Sequence, residues 1–340
     1  MSGLDRRQAL GLIGAGAAAA VAPGVLAPRA RAAGQKIKVG ALRFTSHAAS
    51  FVALERGYFA DAGLEVELKF FQAAQPMAVA IASRDIDYAV TAISGGLISL
   101  AQKGAIKVIG GALTEEKGID GQKILASNKA HEAGLTAPAA LDGRTWGITQ
   151  SGSSFHYMGA KIAAAEGVNL KYKPLQKVGA IIGALKSGQI DAWSIVPHIA
   201  KALGGGGAVQ IIGDVADYLP DYQVTTVFTS AARAAEDRKT TEAFLKAFSA
   251  GAADFNAALV DKSAGDGEEM VKLIHKYVYT DRPYEKAAKS IRAGSMRISP
   301  DAALKVASIE DQLAWFQSEG LVDAGITLDT LLDRSYVESN

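Results

Sequence analysis

The chain has 340 residues, 49% of them hydrophobic, with 36 Lys plus Arg against 35 Asp plus Glu and no cysteine. That length builds two domains of ordinary size, and the balanced charge supplies no overall field for nucleic acid or an anionic membrane. Without thiols there are no disulfides, thiolate metal sites, iron–sulfur clusters or cysteine nucleophiles.

Residues 1–33 read as an export signal. Arg6 and Arg7 precede an apolar, Ala/Gly-rich run from Leu10 to Leu26, and the stretch from Ala30 to Ala33 has the small-x-small pattern that places cleavage near Ala32. The paired arginines resemble a twin-arginine signal, and a general secretory signal fits the same residues. A membrane span is disfavoured: Pro23 interrupts the run, which is poor in large residues, whereas a span needs ~20 strongly apolar ones.

In the mature chain, Lys36 to Phe44 alternates with period two and predicts a first strand delivering Thr45, Ser46 and His47 to a loop. A helix with Phe51, Leu54 and Tyr58 on one face stops at Gly63, Leu64 to Phe71 predicts a strand, and Pro76 suits the first turn of the next helix. Tyr88 to Ile93 predicts a third strand ending in Ser94, Gly95 and Gly96. Ile106 to Leu113 predicts a fourth. Thr114 to Gly121 is polar and aperiodic and reads as a crossing to a second lobe, where Ile124 to Ser127 starts a new strand.

Next comes a short buried strand around Trp146 and Ile148, a polar turn from Gln150 to Ser153, and a helix from Ser154 to near Gly167. A shift of 104 residues carries Gly63 onto Gly167, Ser50 and Phe51 onto Ser154 and Phe155, Ser83 onto Ser187, Ile86 and Asp87 onto Ile190 and Asp191, and Ser94 onto His198. The economical reading is a duplicated βαβαβ unit. Tyr222 to Ser230, rich in β-formers, predicts the return crossing, and four helices follow. The last of these should be capped by Ser299, Pro300 and Asp301 and run to about Glu319.

Ligands of open α/β sheets sit at the carboxyl ends of strands, so each copy should supply half a site. The first contributes Thr45, Ser46, His47, Ser94 and Gly95; the second contributes Ser151, Ser153, Ser154 and His156, with Pro197 and His198 on the far loop. Free N–H groups at a helix start favour an anion there, although a lone serine at such a place more often caps its helix. Phe44, Phe155, Tyr157 and Trp193 are candidates for an apolar wall or for core. Three of the five histidines fall in these loops, which raises a zinc site as an alternative. Nothing in the sequence forces the rings together, so no metal is expected.

The segments Ala53 to Glu67, Ala78 to Ala89, Ser94 with Gly95, Leu141 to Gly147 with Ser151 to Tyr157, Ala184 to Ala192, and Asp333 to Val337 together span the mature chain. They resemble the periplasmic solute-binding proteins of ABC importers, in the nitrate/sulfonate/taurine group that also has relatives for thiamin-pyrimidine precursors and aromatic acids. The resemblance implies an α/β, two-lobed, type II-like fold with two crossover hinge segments. Lobe 1 would hold residues 34–114 and 226–340, and lobe 2 residues 115–225. It further implies a monomer without cofactor that captures a small anionic solute, a sulfonate, nitrate-like ion or aromatic acid, by hinge closure. Its partners would be an ABC permease and its ATPase, reached by docking at the inner membrane surface, and its compartment the periplasm. The pyrimidine-precursor branch is associated with a cysteine-rich motif, which is missing here. An enzyme working in the same cleft is the main rival, but there is no G-x-S-x-G elbow and no carboxylate is identified to orient a base.

Overall fold

A computed structural model describes residues 34–339; the expected export signal lies outside the described residues. Ten strands form two five-stranded sheets. Strands β1 (Gln35–Ala41), β2 (Leu64–Phe70), β3 (Tyr88–Thr91), β4 (Ile106–Gly111) and β10 (Thr226–Ser230) make the first, in the order β2-β1-β3-β10-β4. Strands β5 (Lys123–Ser127), β6 (Thr145–Ile148), β7 (Lys171–Pro174), β8 (Ala192–Ile195) and β9 (Val209–Asp214) make the second, in the order β7-β6-β8-β5-β9. In both, the fourth place is taken by an antiparallel strand, β10 between β3 and β4 and β5 between β8 and β9. Each lobe thus takes its antiparallel strand from the chain that has just crossed over.

The crossings are zipped together. Ala112 N–H donates to Thr225 O at 3.0 Å, Val224 N–H to Leu113 O at 2.9 Å and Glu115 N–H to Tyr222 O at 2.9 Å. Fully buried Gln223 donates through Nε2 to the carbonyls of Leu113 and Thr225, while its Oε1 accepts from Lys305 N–H at 3.0 Å.

The repeated Ser-x-x-Ile-Asp motif does the same work in both lobes. Ser83 and Ser187 close their helices by donating to the carbonyls of Ala80 and Ala184. Asp87 accepts from Lys38 N–H at 2.7 Å and Asp191 from Thr145 N–H at 2.8 Å, each pinning the first strand of its unit to the third. Upstream of that clamp the two copies part. A Cβ on Gly40 would strike Ile86 and Met77, and one on Gly147 would strike Ile190 and Ile181, so these two glycines are structural equivalents. They stand 107 positions apart, three more than the 104 that relates the rest of the units. The first copy therefore carries three extra residues between strand and helix, in the loop from Leu42 to the 3₁₀ turn Thr45–His47.

One expected element is corrected. Ser299 does not cap the last long helix, which runs over Val306–Ser318. Pro300–Ala302 is an isolated 3₁₀ turn with Asp301 and Ala302 at positive φ. The chain stays extended after it because Leu304 bridges to Ser339 and Lys305 N–H is held by Gln223.

Candidate functional site

The two lobes touch on either side of a shared cleft. On one side Gly95 N–H, at the start of the helix Gly95–Gln102, donates to Gly152 O at 2.9 Å. On the other, Gly294 lies so close to the second lobe that an added Cβ would come within 2.1 Å of His198 N. Thr45 Oγ1 donates to Gly294 O at 3.3 Å on the same side. The mouths that the duplication places in each copy therefore meet across one cleft.

Two adjoining chambers lie inside it. The inner one, about 60 Å³, is lined by Ser46 and His47 from the first lobe, by Ser153, Ser154 and Phe155 from the second, and by Thr91, Gln122, Thr149 and Thr225. The outer one, about 780 Å³, carries Arg43, Lys177, Lys186, Arg282, His198 and four aromatic rings. Leu42, Phe44 and Val178 line both.

Ser153 is the most telling residue. It stands at the N-cap of the helix Ser154–Glu166 in extended conformation, yet its hydroxyl makes no capping bond. That hydroxyl is buried and, among the described residues, has no hydrogen-bond partner. A buried unpaired hydroxyl is unfavourable by about 1–3 kcal/mol, and helix-start N–H groups are themselves unpaired. One ligand acceptor in the inner chamber would meet both needs. Ser94 is different: its Oγ accepts from Leu97 N–H at 3.2 Å and donates to Gln75, so it is an ordinary cap outside the chamber lining.

The histidines divide. His47 Nδ1 accepts from Leu42 N–H, which leaves the ring proton on Nε2, and burial lowers its pKa from 6.5 to about 3. His198 Nδ1 lies 2.8 Å from the Tyr279 hydroxyl, which donates its proton to His198 O at 3.0 Å, so Nδ1 is the donor and Nε2 an unprotonated acceptor without a partner. Burial, then the neighbouring His47 and Arg282, lower its pKa to about 3. The rings of His47 and His198 flank Phe44 with centroids 6.2 and 5.7 Å away. His156 stands apart from that pair's aromatic contacts. Its Nδ1 accepts from Gly152 N–H at 3.1 Å and its ring packs edge-on against Tyr172 and Trp315, so it shapes the turn before Ser153. Among the described residues no group of three or more His, Cys, Asp or Glu is placed to hold a metal ion.

Of the remaining candidates, Ser151 is exposed outside both linings, and Pro197 is buried as the first residue of the helix Pro197–Gly205. Phe44 and Phe155 face the chambers; Tyr157 and Trp193 are buried, with the Tyr157 hydroxyl bonded to Asp311.

The NMT1/THI5-like family model matches residues 44–258. The chain belongs to that family. No curated protein matches this NMT1/THI5-like chain in sequence, but solved structures resemble it along nearly its whole length. The ligand-binding component of an ABC-type import system from Staphylococcus aureus, solved with zinc bound, is 16% identical with a TM-score of 0.69, covering 89% of this chain and 97% of that one. The periplasmic aliphatic sulphonate-binding protein SsuA of Escherichia coli is 17% identical with a TM-score of 0.68, covering 90% and 94%. The periplasmic nitrate-binding protein NrtA of Synechocystis PCC 6803 is 15% identical with a TM-score of 0.68, covering 87% and 84%. These likenesses establish the two-lobed periplasmic-binding-protein fold.

Sequence reasoning places Arg43 beside the candidate loops but passes over Thr91, Thr149, Gln122 and Thr225 as lining residues, and Lys177, Lys186 and Arg282 of the outer chamber. Thr91 and Thr149 sit at carboxyl ends of strands, where a search should look; the first was absorbed into a strand expected to continue to Ile93. Gln122 and Thr225 belong to the crossings, read as connectors only. Lys186 on a helix and Lys177 and Arg282 in the turns before helices carry no local signal, since exposed cations at such places are ordinary.

Proposed function

We propose that this NMT1/THI5-like protein is the extracytoplasmic solute receptor of an ABC importer. It takes a small anion, a sulfonate, nitrate-like ion or aromatic acid, between lobes 34–114 with 226–340 and 115–225, and the hinge segments near Thr114 and Thr225 let the cleft close. The observation that carries this reading is the buried, unpartnered Ser153 hydroxyl at an uncapped helix start inside a chamber both lobes wall. Closure then depends on contacts the solute makes only in the shut form, which couples occupancy to a shape that a permease and its ATPase read at the inner membrane. The protein works in the periplasm as a monomer, exported by a twin-arginine or general secretory signal cleaved near Ala32.

The rival reading, catalysis in the same cleft, is disfavoured by the histidines. Each uses Nδ1 on a neutral partner, Leu42 N–H, Gly152 N–H or the Tyr279 hydroxyl, and none is oriented by a carboxylate as a hydrolase base is. A thermal-shift panel of sulfonates, nitrate, carboxylates and aromatic acids tests the receptor reading, because a ligand that binds only the folded form raises the melting temperature. At least one class should do so, and recovered solute should be chemically unchanged; turnover of a bound solute would reverse the ranking.

A further inference from the structure

The outer chamber asks for more than an entrance. Arg43 and Arg282 reach it from the first lobe, Lys177 and Lys186 from the second, and no carboxylate shares the lining. Among the described residues Lys177, Lys186 and Arg282 have no ion-pair partner, and Asp281, next to Arg282, lies outside the lining. The two guanidinium carbons sit over rings, Arg43 at 3.8 Å from the Phe70 centroid and Arg282 at 4.3 Å from that of Tyr279, and Arg43 Nη1 donates to Tyr277 O at 3.2 Å. Cation–π contacts of this kind hold the groups in place; the N–H groups of Arg282 and those of Arg43 not used on Tyr277 are left for an acid. Phe44, Phe70, Phe71 and Tyr279 give the same chamber an aromatic wall.

The inner chamber is complementary to this. No charged side chain lines it: its polar groups are hydroxyls, an amide, a neutral imidazole and the helix start. A solute confined there would leave four cations and the rings of Phe70, Phe71 and Tyr279 without a role. A nitrate ion has nothing to offer the rings, and about 780 Å³ is far more room than it needs. Leu42, Phe44 and Val178 belong to both walls, so the chambers adjoin and the ends of one elongated molecule fall within reach of both.

We propose that the outer chamber is a second anion subsite and that the solute is an aromatic acid occupying both chambers. Its carboxylate or sulfonate lies among Arg43, Arg282, Lys177 and Lys186, its ring lies against Phe44, and its far polar end reaches Ser153. This deepens the receptor reading and rests on it. Closing the lobes brings cations from both onto one acid group, so the same charge that identifies the solute also holds the cleft shut.

Calorimetry and stopped-flow binding on the full protein test this with benzene-1,4-dicarboxylate, nitrate and taurine as probes. The dicarboxylate should bind at least tenfold more tightly than the other two. Arg282→Gln and Lys186→Gln, both exposed positions, should each weaken it about tenfold, the scale of one charge-assisted hydrogen bond. The loss should lie in faster dissociation and should multiply with that of Ser153→Ala, because the two ends are separate. If the substitutions change only a salt-dependent association rate, the chamber is an electrostatic entrance and the subsite is overturned. It is also overturned if both leave dicarboxylate binding intact or if none of the probes binds. Tight binding of nitrate or taurine, lost in Ser153→Ala, would overturn the aromatic subsite and leave the receptor reading standing.

Discussion

Ser153 and Arg84 show how single positions separate folding from function. Ser153 Oγ makes no hydrogen bond among the described residues, so Ser153→Ala should leave the melting temperature unchanged or slightly raised, while weakening a bound acceptor about tenfold. A drop in ligand-free stability of 1 kcal/mol or more would instead assign it an ordinary capping role. Arg84 occupies the residue after a helix end at φ 64°, where the second copy has Gly188 at φ 69°. A side chain in the left-handed region is disfavoured by roughly 1–2 kcal/mol, partly offset by the greater freedom glycine loses on folding. Arg84→Gly should therefore stabilise the protein by about 0.5–1 kcal/mol in a denaturant titration. No change would mean that the arginine's own contacts balance the strain.

At the scale of elements, what was legible was what repeats. The 104-residue register identified both βαβαβ units, their helix ends and the clamping aspartates, because each rests on local chemistry that had to be used twice. The loop from Leu42 to His47 was not legible as an insertion, since its three extra residues are absorbed without altering the pattern downstream, yet it carries Phe44, Ser46 and His47 into the chambers. The false cap at Ser299 failed for a tertiary reason: pairing of Leu304 and Lys305 with the tail and Gln223 overrides a sound local signal. Gly294 was invisible in the same way, because its neighbour belongs to the other lobe. An alanine there would set Cβ 2.1 Å from His198 N and 2.3 Å from its Cα, backbone atoms that cannot step aside. Gly294→Ala should hold the lobes apart, lowering solute affinity at least tenfold while shifting ligand-free stability little. Small-angle scattering should then show no compaction on adding a solute that compacts the wild type; unchanged affinity would show that this contact is not part of the bound state.

For the whole molecule, the buried titratable groups define a pH window. Glu115 is fully buried where the chain first crosses over; one oxygen accepts from Gln122 N–H, the other has no partner among the described residues, and burial raises its pKa from 4.5 to about 7. Lys123, Asp214 and the buried Tyr222 hydroxyl are the charged and polar groups that face it. Native protein keeps this proton after the unfolded chain has lost it, so stability falls as pH rises from 4.5 through 7. His47 and His198 act oppositely: lowered from 6.5 to about 3, they bind protons in the unfolded chain first, so stability falls as pH drops below 6.5. The two histidines, joined by His156, whose pKa burial also lowers, outweigh one carboxyl between pH 4.5 and 6.5, and of these four groups only Glu115 acts above 6.5, which places their combined optimum near neutrality on the acid side. Glu115→Gln removes the ionisable group while keeping an acceptor for Gln122. It should raise stability at pH 8 by on the order of 3 kcal/mol relative to the wild type, with no gain at pH 4, where the native and unfolded carboxyls are both largely protonated. Equal effects at the two pH values in a guanidinium titration would mean that the proton on Glu115 does not govern the crossing.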